Sequence, residues 1–180
     1  MPYVTVSLAL ICVLLQVLGP IPSLALWPIN SPSYGGWQLI TYQFQHGGWL
    51  HVVLNALALL SFGPRVERAV GRVRFLCYFL ACGLVGGFLQ LATMPSGPLV
   101  GASASVFGVF AMYSLQNHDG KVITPLLVPM PAWLVLAIYS AVSVICWWQG
   151  WLAGVAHAAH LGGIVMGLSF AATTKSPGHL

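Results

Sequence analysis

The sequence predicts an all-α fold, a polytopic membrane protein made of one domain over residues 1–180, and three observations predict it. Hydrophobic residues make up 58% of the chain and charged residues 4%, where a soluble domain carries roughly 25% charged residues. Six apolar segments can be counted, at about 3–18, 50–62, 73–93, 102–115, 132–148 and 152–173. The charges fall on alternate connections: Arg65, Arg68, Arg72 and Arg74 lie between segments two and three, Lys121 between four and five, and Lys175 after six. Both acids, Glu67 and Asp119, share these connections. Basic loops face the cytoplasm, so six spans with both termini cytoplasmic are expected. The +4 net charge is accounted for by that distribution, and no nucleic-acid partner is expected.

Segment one lacks the basic flank of a secretory signal and is read as a true span. The connection after it, about residues 19–49, is long and uncharged and carries Trp27, Tyr34, Trp37, Tyr42, Phe44 and Trp49. Amphipathic aromatics favour the headgroup zone, so this first external loop is expected to lie on the membrane. Segment two opens with His46-Gly-Gly-Trp-Leu-His51 and continues to Asn55. His51 and Asn55 are four residues apart and share a helix face, where they either lock helices together or line a hydrated site. Pro64 is expected to stop this helix, with Glu67 and the nearby arginines forming a salt-bridged cap. The four cysteines, Cys12, Cys77, Cys82 and Cys146, lie within apolar segments and suit small buried hydrophobes rather than disulfides or metal ligands.

Segment four begins at Gly101-Ala102-Ser103-Ala104. Small residues allow close helix packing, and a helix starting here leaves N–H groups unpaired beside Ser103. About 14 residues give about 21 Å of helix, short of a hydrocarbon core of about 30 Å. Segment two has the same shortness, and Ser103 is expected on the floor of a depression. Polar backbone at that depth requires water or surrounding protein. Segment five follows Pro125, Pro129 and Pro131 and ends at Trp147-Trp148, which suggests loose tethering. Segment six carries His157, Ala159-His160 and Gly163-x-x-x-Gly167. The glycine face can pack on segment four and bring His160 toward Ser103, with Phe107 one turn on to support the ring. An isolated histidine of this kind is also compatible with packing or proton relay.

In order, Trp37-Gln38-Leu-Ile-Thr-Tyr42, His46-x4-His51-x3-Asn55, Phe62-Gly63-x3-Glu67, Gly101-Ala-Ser103 and Ala159-His160-x2-Gly163-x3-Gly167 resemble the rhomboid intramembrane serine proteases, over about residues 36–168. The resemblance implies a six-helix rhomboid-like bundle with Ser103 as nucleophile, His160 as general base, and His51 and Asn55 with the Ser103 N–H as oxyanion stabilisers. Two departures stand out: Ala104 where the family usually has glycine, and Trp37-Gln38 where well-studied members have Trp-Arg. The chemistry also follows by exclusion. The chain has no His-Glu-x-x-His and only two carboxylates, both on the expected cytoplasmic side. Neither a zinc site with a glutamate base nor an aspartyl pair can be assembled, and a serine enzyme here has a dyad rather than a Ser-His-Asp triad.

The expected activity is therefore serine-type endopeptidase action, with no cofactor and no metal. Expected partners are single-span or polytopic membrane-protein substrates and the lipid bilayer. Cleavage is expected near the outer face, with access between segments two and five. The expected location is a bacterial inner membrane, with the site opening outward. Two other classes stay open: a catalytically silent rhomboid-like protein that binds or escorts membrane clients, and a haem or metal bundle using His46, His51, His157 and His160.

Overall fold

Apolar side chains offer a backbone no hydrogen-bond partners, so each apolar segment closes its own bonds as a helix. The computed structural model of the chain describes residues 1–93, 97–117, 120–123, 128–152 and 154–173. Asp119, Pro125 and Lys175, on which parts of the charge and proline pattern rest, lie outside the described residues. The helices are α1 (Tyr3–Leu18), α2 (Gln38–Thr41), α3 (Trp49–Val70), α4 (Arg72–Thr93), α5 (Ser103–Gln116), α6 (Ala132–Gln149) and α7 (His157–Thr173). Strands β1 (Lys121–Ile123) and β2 (Pro129–Pro131) pair antiparallel between α5 and α6. Three helices, α3, α4 and α6, are long and apolar enough to cross a membrane, and α1 and α7 are shorter apolar helices.

Two expectations need correction. Helix α3 does not stop at Pro64 but runs on to Val70, and it ends at Gly71, which has a φ of +86° and donates its N–H to the Glu67 carbonyl. At 22 residues it is not truncated, so α5 alone retains the shortness expected of both. A mid-helix proline costs about 3 kcal/mol, but here the turn around it is anchored on α1. Gly63 lies against the Thr5 side chain, and the Glu67 carboxylate is buried. That carboxylate accepts the Val4 N–H at 3.1 Å, the Thr5 N–H at 2.8 Å and the Thr5 hydroxyl at 2.7 Å. Glu67 thus caps the N-terminus of α1 through N–H and hydroxyl donors, where a salt-bridged cap with the nearby arginines was expected. Bonds to a charged acceptor contribute about 1.5–3 kcal/mol each, and an anion at a helix N-terminus is favoured. Arg72 sits 4.5 Å above the Tyr3 ring and completes the anchor.

Helix α7 packs against both α4 and α5, and glycine makes this possible. A Cβ on Gly162 would stand 2.9 Å from the Gly86 Cα, and one on Gly167 2.6 Å from the Gly108 carbonyl oxygen. A Cβ on Gly163 would run into the Ala104 carbonyl. The Ala104 methyl points at Gly86, where a second Cβ would come within 2.6 Å of it. The missing side chain on α4 accommodates the extra methyl. Tyr78 of α4 donates its hydroxyl to the Gly108 carbonyl.

Gly163→Ala is expected to lower stability at the upper end of the overpacking range, about 3 kcal/mol or more, because backbone rather than a flexible side chain blocks the methyl. Gly36→Ala, with nothing within 4 Å of the added atom, is expected to be neutral in the same thermal melts in detergent.

Candidate active site

Between α3, α5, α6 and α7 lies a cavity of about 1300 Å³. Ser103, His160, His51 and Asn55 all line it, and it continues along the bundle to Phe62, Phe110 and Val122. Its wall is polar at the serine end and apolar beyond. The four site residues expected from the sequence thus share one chamber, although they come from three helices.

The serine stands at the first position of α5, after Ala102. No side chain caps this helix, and its first internal bond runs from the Val106 N–H to the Ala102 carbonyl. The N–H groups of Ser103, Ala104 and Ser105 therefore have no acceptor within the helix. The preceding turn is held by the long first loop. Leu26 and Leu99 exchange N–H bonds at 2.9 and 2.8 Å, and Gly101 donates its N–H to the Tyr42 carbonyl at 2.9 Å. Tyr42 is fixed in turn by its hydroxyl on the Gly83 carbonyl at 2.6 Å. Gly101 has a φ of +119°, and a Cβ there would stand 2.6 Å from the His51 ring, so only glycine fits between the serine turn and α3.

His46 is the other fastening. Its Nε2 accepts the Ala102 N–H at 3.3 Å, so Nδ1 carries the proton and donates to the Phe44 carbonyl at 3.3 Å. Only the neutral ring makes both bonds. Burial, with His51 edge-on at 5.0 Å, pushes its pKa down to about 4.

On α7, His160 is buried. Its Nε2 is 2.7 Å from the Ser103 Oγ, and its Nδ1 is 2.7 Å from the Tyr139 Oη of α6. Phe107, one turn after the serine, lies with its ring 4.9 Å from the imidazole and stacks on Tyr139 at 4.0 Å. The backbone just before the histidine is fixed from α4, where Gln90 Oε1 accepts the Ala159 N–H at 3.1 Å. His157 meets His160 edge-on at 6.5 Å. Its two ring nitrogens have no partner among the described residues.

On α3, Asn55 donates one amide hydrogen to the His51 carbonyl at 2.9 Å, which leaves the other free. The His51 Nδ1 accepts the Gly47 N–H at 3.4 Å, which assigns the ring proton to Nε2. Both side chains therefore carry an uncommitted donor. Three participants were not anticipated: Tyr139, Gln90 and Gln43, whose Oε1 accepts the Ser105 hydroxyl at 2.8 Å. An amide or a hydroxyl within an apolar run was the available signal, but not its target. Of the cysteines, Cys77 is exposed rather than buried, because α4 turns that face away from the bundle. Among the described residues no group of three or more His, Cys, Asp or Glu side chains is placed to hold a metal.

A family model described as the rhomboid domain matches residues 34–177. The chain belongs to the rhomboid family. It is 34% identical over 142 residues to a putative rhomboid protease, YdcA, of Bacillus subtilis, covering 68% of this chain and 71% of that protein. RHOMBOID-like protein 4 of Arabidopsis thaliana is 31% identical over 140 residues, 73% of this chain but 32% of the plant protein. Rhomboid protease GluP of Bacillus subtilis is 42% identical over 72 residues, 40% of this chain and 14% of the relative. With its apolar helices, the rhomboid is a multi-pass integral membrane protein.

His46 has a folded pKa below its ordinary value of 6.5, so the folded state binds fewer protons than the unfolded one between about pH 6.5 and 4. Its contribution to stability is complete above 6.5 and is lost on acidification through that window. The melting temperature of the wild type is expected to fall more steeply across it than that of His46→Gln, whose amide can still accept the Ala102 N–H.

Proposed function

We propose that this rhomboid is an intramembrane serine endopeptidase with a Ser103–His160 dyad, cleaving transmembrane segments of membrane-protein substrates near the outer face. The observation that carries this reading is the 2.7 Å contact between Oγ and Nε2 at the end of an open cavity. His160 takes the hydroxyl proton as Oγ attacks the scissile carbonyl, and an acyl-enzyme forms as the proton passes to the leaving amine. Water then enters by the same route, activated by the same imidazole, and releases Ser103. The oxyanion of each tetrahedral intermediate is held by the free donors of His51 and Asn55 and by the Ser103 N–H. These donors are fixed before the charge develops, where they are most effective.

In this reading α1, α3, α4, α5, α6 and α7 are the six membrane segments, with both termini cytoplasmic, the first loop seated on the outer leaflet and the site opening outward. Exposed Trp37 and Trp49 suit that seat, and the setting is a bacterial inner membrane. Among the described residues no Cα of α3 lies within 8 Å of one of α6, and the cavity between them admits a segment from the side. A peptide bond inside a helix is sterically closed to a nucleophile, so substrates with small or helix-breaking residues near the cleavage site are favoured.

Cleavage of a single-span substrate in detergent is expected for the wild type and lost in Ser103→Ala and His160→Ala. A fluorophosphonate probe is expected to label the wild type but not Ser103→Ala. Equal turnover by all three proteins refutes the dyad, and a wild type that neither cleaves nor labels points to a silent, client-binding rhomboid. His51→Ala and Asn55→Ala are each expected to lower kcat by about 10²–10³-fold.

A further inference from the structure

A dyad leaves the base's second nitrogen to be accounted for. For Nε2 to accept the serine proton, Nδ1 must carry the ring hydrogen, and in a triad a carboxylate holds it there. Among the described residues the one acid is Glu67, and it is committed to α1. What stands 2.7 Å from Nδ1 is the Tyr139 hydroxyl.

We propose that Tyr139 is the positioning residue that fixes the tautomer of His160, an inference that rests on the protease reading above. The phenol oxygen accepts the Nδ1 hydrogen. Its own proton is then free for Ser143, one turn along α6, a buried hydroxyl with no hydrogen-bond partner among the described residues. The phenol is held in place from its face, because Phe107 stacks on it at 4.0 Å with the planes 20° apart. The same Phe107 touches the imidazole, so serine, base and phenol are tied to one turn of α5. A neutral phenol orients the ring without adding a buried negative charge, which an apolar bundle would penalise. The ring and its partner also sit on different helices, so the base is correctly protonated only while α6 is seated against α5 and α7.

The test compares the wild type with Tyr139→Phe, which keeps the stack and loses the oxygen, and with Tyr139→Leu, which loses both. Two quantities are read: kcat and KM on the single-span substrate, and the ¹⁵N spectrum of labelled histidine, with His160 assigned by difference from His160→Ala. In the wild type the hydrogen is expected on Nδ1 of His160. In Tyr139→Phe it is expected to move toward Nε2, with kcat falling about 10- to 100-fold, as when the group that orients a metal-ligating histidine is removed, and KM staying within about twofold. An unchanged tautomer in Tyr139→Phe overturns the proposal. So does unchanged kcat in Tyr139→Phe when Tyr139→Leu is impaired, since that assigns the effect to the stack. If the wild type cleaves nothing, the protease reading fails on its own, while the spectra still decide whether Tyr139 sets the imidazole.

Discussion

The close approach of α7 to α4 and α5 is the constraint on which the rest depends. Gly162, Gly163 and Gly167 allow backbone to meet backbone, and in a membrane such contact supplies the packing that the hydrophobic effect does not. With α7 at this distance, the imidazole of His160 reaches a hydroxyl on the first turn of α5. A helix pair separated by ordinary side chains would hold these groups several ångströms apart. Ala104 shows how the constraint is shared: its methyl is tolerated because the residue it faces on α4 is Gly86.

A second requirement is that the start of α5 be held still while its N–H groups stay free. A capping side chain would fix the turn but consume the donors that the proposed mechanism needs. The chain instead fastens the residues just before the serine, through Leu26, Tyr42 and His46 of the first loop. The loop thus acts as a brace from outside the bundle, and its burial of polar side chains such as Gln43 and His46 follows from that task. Strand-like pairing of Leu26 with Leu99 and the imidazole acceptor of His46 do the work of a cap without occupying the site.

Much of this was legible in the chain. Apolar runs read as helices because a peptide group in hydrocarbon has no partner but its own helix, and α5 was recognised as short from the length of its apolar run. Ser103, His160, His51 and Asn55 were singled out as candidates because polar side chains are costly in apolar segments, and the rhomboid resemblance supplied the roles proposed for them. Pro64 misled, since a local rule predicts a stop and the turn is held instead by the bonds of Glu67 to α1, whose Thr5 is 62 residues away in sequence. The exposed Cys77 misled for a related reason: an apolar run does not reveal which face meets the bundle.

The sequence by itself determined the class of molecule, the approximate helices and the identity of the polar groups, because these follow from the solvation of each segment taken alone. Only the tertiary structure decided which of those groups meet. The pairing of Tyr139 with the Nδ1 of His160, the fastening of Ala102 by His46 and the capping of α1 by Glu67 all join residues from different segments. A hydrogen bond depends on distance and angle to a few tenths of an ångström, and that is set by how helices cross.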